Sequence, residues 1–177
     1  MIHKKVEEAI NKQINAEMWS GYLYLSMSAY FEGKSLGGFA HWMRCQGREE
    51  LDHAMRLYYH LAERGGDIKL EPIKAVKTEW KNPLEVFEET YVHETKVTKM
   101  INELLELAMK EKDHATVPML HWFVDEQVEE ENTADEIVQK LKLIGKDGGG
   151  LFMINQELAQ RTYTPPVDLP APTGSKA

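Results

Sequence analysis

The chain has 177 residues, 42% of them hydrophobic and 28% charged, with a formal charge of −8; this is the make-up of one soluble globular domain. The acidic balance, with no local basic patch, argues against nucleic acid as a partner, and no apolar run approaches the roughly 18 residues of a membrane helix. The opening stretch MIHKKVEEAI has neither the apolar core nor the cleavage site of a secretory signal, and a lone cysteine, Cys45, forms no intrachain disulfide; both features lead us to expect a cytoplasmic protein.

Four long helical patterns follow in chain order. The first spans about Val6 to Glu32 and stops at Gly33 as a C′ residue. The second runs from about Gly38 to Arg64 and stops at Gly65-Gly66. The third opens on Asn82 as N-cap, Pro83 at the first helical position and Glu85 two residues on, and continues to about Lys112. The fourth begins between Asp113 and Thr116, tolerates Pro118 in its opening turn and ends near Gly145. KDGGG then reads as a flexible hinge, and Leu151 to Thr162 as a short fifth helix whose apolar residues have no evident place in a four-helix core and suggest packing on another subunit. Residues 163–177 are rich in proline and small residues and read as a disordered tail. Strand signals are poor throughout, so the fold class is all-α.

Each long pattern carries a seam of residues in steps of three and four, the spacing that keeps side chains on one helix face. These seams are apolar at both ends and polar in the middle. The first holds Ile10, Ile14, Glu17, Gly21 and Tyr24; the second Met43, Gln46, Glu50, His53 and Leu57. The third runs Phe87, Tyr91, Glu94, Thr98, Ile101 and Leu105, and the fourth Phe123, Gln127, Glu130, Ala134 and Ile137. Short links after the first and third helices make those neighbours antiparallel. The link from Gly65 to Asn82 extends to roughly 55 Å, enough to run the length of a helix roughly 40 Å long. The second and third helices are therefore expected to be parallel, in a four-helix bundle with one long crossover pinned by Ile68, Leu70, Ile73, Val76 and Trp80.

The polar centre of the seams is the chemical signal. A buried carboxylate without a partner costs several kcal/mol, and a small bundle carrying acids on all four helices needs a cation among them. Glu50 and His53 stand at i and i+3 and point from one face. Carboxylate oxygen with imidazole nitrogen suits iron, manganese or zinc. Alone, E-x-x-H is a weak motif, more often an exposed polar pair; here Glu17, Glu94 and Glu130 occupy equivalent seam positions on the other helices. Five such groups exceed what one ion uses while leaving room for a substrate. Two ions bridged by a shared carboxylate, Glu50 being the candidate, would use them, and an oxygen-rich set favours cycling between ferrous and ferric iron.

Glu17 with Tyr24, the REELDHA stretch from Arg48 to Ala54, Glu94, and HWFVDEQVEEE from His121 to Glu131 together resemble the prokaryotic non-haem ferritins, from the N-terminus to about Thr162. Ferritin-like di-iron sites pair two Glu with two Glu-x-x-His motifs. This chain departs from that in the fourth helix, where the second motif reads Gln127-x-x-Glu130, the version that resembles storage ferritins. The resemblance implies a ferritin-like domain over residues 1–162. It implies one iron on Glu17, Glu50 and His53, and a second on Glu94 and Glu130 with Glu50 bridging and Gln127 close by. It further implies a third iron position on Glu49, Glu126 and Glu129, sharing Glu130. Tyr24 is then a redox-active or hydrogen-bonding neighbour of the irons, or else a core tyrosine with a satisfied hydroxyl. Leu51 stands where haem-binding relatives carry methionine, so no haem is expected.

What the resemblance implies overall is iron storage. A ferroxidase would oxidise ferrous iron with dioxygen or hydrogen peroxide inside a homo-oligomeric shell of 24 subunits, and ferric iron would accumulate as an oxide mineral. A haem-free bacterioferritin-like or rubrerythrin-like di-iron peroxidase is the alternative; the lone Cys45 speaks against the Cys-rich domain of rubrerythrins. A metal-free helical interaction protein is a third reading, against which the seam carboxylates stand.

Overall fold

The computed structural model describes residues 2–167 and 169. It contains α1 (Lys4–Glu32), α2 (Gly37–Glu63), α3 (Pro83–Lys110), α4 (Thr116–Ile144) and α5 (Gly148–Leu158), with no strand among the described residues. Among the described residues, no helix is long and apolar enough to cross a membrane.

Helix ends follow local chemistry. Asn82 Oδ1 accepts the Glu85 amide at 2.9 Å, and the Glu85 carboxylate accepts the Lys81 amide at 2.6 Å, so two otherwise orphaned donors are met at the start of α3. At the end of α2, Gly65 turns left-handed at φ 67°; its amide donates to the Ala62 carbonyl and the Gly66 amide to Leu61. This is the paired closure that glycine makes without steric cost. The first helix ends differently from expectation, because Gly33 stays right-handed and Ser35 takes the positive φ instead.

The crossover runs along α1. Asn11 Nδ2 donates to the Asp67 carbonyl at 2.8 Å, Asn15 Nδ2 to Glu71 at 3.0 Å, and Ser26 Oγ to Lys77 at 2.7 Å. These contacts climb α1 from its first half to its last turns, so the link travels up the bundle and α3 starts beside the end of α1, parallel to α2. Ile68, Val76 and Trp80 pack inward, whereas Leu70 and Ile73 are exposed. Polar side chains of α1 hold the link by its backbone, which relieves those two apolar residues of the pinning role expected of them.

Two apolar clusters fill the bundle. One gathers Met27, Phe31, Phe39, Trp42, Phe87 and Leu141 at one end, and the other Ile10, Ile14, Leu57, Leu61, Ile101 and Phe123 at the other. In α3 the buried line passes through Val97 and Leu104, while Thr98 and Leu105 are only half-buried. A straight helix drifts against a strict seven-residue repeat, which moves the contact line over by one residue.

The fifth helix corrects two expectations. It starts at Gly148, inside the segment read as a hinge, because Asp147 caps it by accepting the amides of Gly149 (3.1 Å) and Gly150 (2.9 Å). It also packs on its own subunit: Ile154 and Leu158 are buried in the first apolar cluster with Leu151 against it, while the apolar Phe152 and Met153 face outward. Leu36, the N-cap of α2, provides no side-chain cap. Asn155 Oδ1 fills that role from α5, accepting the amides of Gly38 (2.9 Å) and Phe39 (3.3 Å). A Cβ at Gly38 would lie 1.7 Å from the Asn155 carbonyl oxygen. Gly38→Ala is therefore expected to push α5 off the N-terminus of α2 and cost about 1–3 kcal/mol, read as a lowered urea midpoint. An unchanged midpoint would contradict this docking.

Candidate metal centre

Between the two apolar clusters lies a polar layer to which all four long helices contribute. Gln13 and Glu17 come from α1, Gln46, Glu50 and His53 from α2, Glu94 from α3, and Gln127 and Glu130 from α4. Every one of these side chains is buried. Their places follow from the seams: steps of three and four that deliver Ile10 and Ile14 to one cluster and Tyr24 to the other deliver Glu17 to the centre.

Glu17, Glu50 and His53 offer ligand atoms that all lie within 4.8 Å of one another. Glu17 Oε1 accepts from Gln13 Nε2 at 2.8 Å, but Glu17 Oε2 is buried with no hydrogen-bond partner. A buried orphan of this kind is rare, and a cation held by Glu17, Glu50 and His53 would satisfy it. His53 Nδ1 stands 3.8 Å from Glu50 Oε2, and its ring meets Trp122 and Phe123 edge to face, which fixes its plane.

A second grouping joins His53, Glu126 and Glu130. Glu94 lies outside both groupings. Its Oε1 accepts the Tyr24 hydroxyl, and its Oε2 accepts Gln127 Nε2 at 3.2 Å. Gln127 also reaches the Glu94 carbonyl and Thr98 Oγ1, each at 3.3 Å. Tyr24 and Gln127 therefore orient the Glu94 carboxylate from either side. Tyr24 is fully buried, and its hydroxyl is satisfied in this way.

Electrostatics gives the same picture. Burial, and after it the charge of Glu50, holds the Glu17 carboxyl well above the usual carboxylate range. Burial and then Glu94 do the same to Glu50, and burial with Glu94 and Glu50 to Glu130. Glu94 is raised by burial, with Tyr24 and Gln127 pulling back. Burial thus favours the protonated form of each acid, and a divalent ion bound among them would displace protons.

An outer pocket of 410 Å³ opens beside this layer, lined by Glu49, Glu126, Glu129, Glu130, Thr133, Arg161, Thr162 and Thr164. Glu130 belongs to both sites, and Glu129 is exposed. All the residues expected at the third iron position therefore face one pocket. It also holds a cation: Arg161 Nη2 pairs with Glu49 Oε2 and Nη1 donates to Gln46 Oε1 at 2.8 Å.

Two residues essential to this arrangement escape a reading by ligand type. Gln46 bridges the centre, its Nε2 donating to Glu50 Oε1 at 3.2 Å and to Glu130 Oε2 at 2.6 Å. Its amide orientation is unambiguous, since Arg161 can only donate and must meet the amide oxygen. The signal was present, because Gln46 sits one turn before Glu50 on the same seam. Arg161 belongs to no seam and has no such signal.

The comparisons agree with this geometry. The ferritin-like domain family matches residues 7–144. A bacterial non-heme ferritin of Bacteroides fragilis is 50% identical over 161 residues, 91% of this chain and 100% of the relative. One of Staphylococcus haemolyticus is 39% identical over 163 residues, 92% of this chain and 98% of the relative. Among solved structures, an open pore ferritin from the hyperthermophilic archaeon Archaeoglobus fulgidus is 51% identical with a TM-score of 0.91, covering 92% of this chain and 100% of that one. A humanized archaeal ferritin is 53% identical with a TM-score of 0.92, covering 93% and 100%. A bundle whose acids turn inward between two apolar clusters, and which matches these proteins over nearly its whole length, has one place among known proteins: the chain belongs to the ferritin family.

Proposed function

We propose that this iron-storage chain is a ferroxidase whose centre lies inside each subunit and feeds a mineral in a shell of 24 copies. The observation that carries this reading is the buried, unpartnered Glu17 Oε2 beside Glu50 and His53. The first ferrous ion binds Glu17, Glu50 and His53. The second binds Glu130 and Glu94, with Glu50 bridging. Ion binding expels protons from carboxyls that burial has raised. Each ferrous ion then gives one electron. Dioxygen takes two electrons and two protons and leaves as hydrogen peroxide; when hydrogen peroxide is the oxidant, two electrons and two protons turn it into two waters. The carboxylates stabilise the rising charge on the metals without reorganising.

Gln127 turns its amide nitrogen toward Glu94, and the second ion has no counterpart to the His53 imidazole, so the two positions differ. That asymmetry suits a centre that releases its product. The acids of the outer pocket, Glu49, Glu126 and Glu129 with Glu130, then form a third iron position on the way out. The cytoplasm is the compartment in which ferrous iron and the free, buried Cys45 both persist. The test is rapid mixing of the assembled protein with ferrous iron in air. We expect a fast oxidation burst that saturates at two irons per subunit, and a burst that saturates at one, or none at all, overturns the reading.

A further inference from the structure

We infer that Arg161 is a tethered cation that competes with iron for the outer pocket, keeping the third position weak so that it passes iron on instead of retaining it. The inference rests on the reading above that Glu49, Glu126 and Glu129 receive an ion.

The guanidinium is built into place. Its plane lies over the Trp42 ring, 4.3 Å from the centroid. One nitrogen is committed to Gln46 Oε1 at 2.8 Å and another to Glu49 Oε2. The residue's own carbonyl contacts His41 Nε2 at 2.8 Å, and two residues on, the Tyr163 hydroxyl donates to Asp52 Oδ2 at 2.5 Å. Residues 161–164 thus lie back along α2 as a strap whose inner face lines the pocket. The tail expected from residue 163 onward begins with this docked tyrosine; residues 168 and 170–177 lie outside the described residues.

An iron at the third position needs the Glu49 carboxylate that Arg161 already holds. Either the guanidinium leaves, breaking its contacts with Gln46 and Trp42, or it stays and repels the arriving divalent charge at close range. Both weaken the ion at this position and neither touches Glu17. The arrangement also explains how an acidic pocket exists before iron arrives: Arg161 offsets the burial that pushes the Glu49 carboxyl up. Its side chain is one-fifth exposed, so displacement is open to it.

Redox-inert zinc titrated into the assembled, iron-free protein by calorimetry tests this. In the wild-type protein we expect two tight ions per subunit and a weak third. Arg161→Gln should tighten the third by about tenfold or more, the scale of removing one unit charge beside a divalent ion. Arg161→Lys should restore the weak third ion, and Glu49→Gln should abolish it. A merely structural arginine gives the opposite sign, since its loss would weaken binding. A third ion that Glu49→Gln removes but Arg161→Gln leaves unchanged or weakens overturns the role of Arg161 while the outer position stands. No third ion in any variant overturns both.

Discussion

Glu50→Ala is expected to abolish the fast phase of ferrous oxidation. Glu50 stands at the crossing of the site, near Glu17 and His53 on one side and held with Glu130 by the Gln46 amide on the other. Losing an outer partner of a metal ligand costs about 10–100-fold, so losing a ligand shared by two ions costs at least about a hundredfold in the rate of the burst. His53→Ala is expected to act in the same direction, since His53 belongs to both ligand groupings. The measurement is stopped-flow oxidation with two ferrous ions added per subunit, on protein shown by size-exclusion chromatography to be assembled. A fast phase that survives either substitution places the centre elsewhere.

Glu17→Gln is expected to make the iron-free protein more stable while crippling it. The Glu17 carboxylate is buried with one oxygen unpartnered and faces a second carboxylate. A glutamine amide there can donate to Glu50 and removes a charge, a gain of about 1–3 kcal/mol, the usual cost of a buried polar group left without a partner. The pH dependence has a definite sign. Glu17, Glu50 and Glu130 are held well above the ordinary value of 4.5, so above that value the folded chain binds more protons than the unfolded one. Their contribution to stability is complete at the acid end and falls as pH rises through the folded pKa values. Denaturation of the metal-free protein should show wild type losing stability as pH rises from about 5 to 8, and Glu17→Gln losing less. Added zinc should restore wild type and do little for the variant. Equal slopes for the two proteins would mean that Glu17 carries no such strain, and the gain that defines a functional residue held at the expense of stability would be absent.

The parts of this molecule that could be read from its residues are those set by local spacing. Asn82, Pro83 and Glu85 announce α3 because capping involves only neighbours, and Gly65 ends α2 for the same reason. The seams announce the polar layer because period alone turns Glu17, Glu50, Glu94 and Glu130 inward midway along their helices. What escaped was set by contacts far apart in the chain. Three glycines following Asp147 have poor helix propensity, yet α5 begins there, because Asp147 caps it and Ile154, Asn155 and Leu158 dock on helices formed much earlier in the chain. Arg161 meets Gln46 and Glu49 across separations of 115 and 112 residues, and no local pattern foretells such a pairing. Glu94 is the intermediate case. Its seam position is legible, but its engagement by Tyr24 and Gln127, outside the two ligand groupings, comes from where α1 and α4 place those residues.

We propose that acids from four helices hold two irons between the two apolar clusters. Crystals of the protein soaked anaerobically in ferrous iron, with anomalous diffraction measured at the iron edge, test it most directly. We expect two peaks within each subunit, one among Glu17, Glu50 and His53 and the other among Glu50, Glu94 and Glu130. Iron found only on the outer acids, with the inner layer empty, would contradict it.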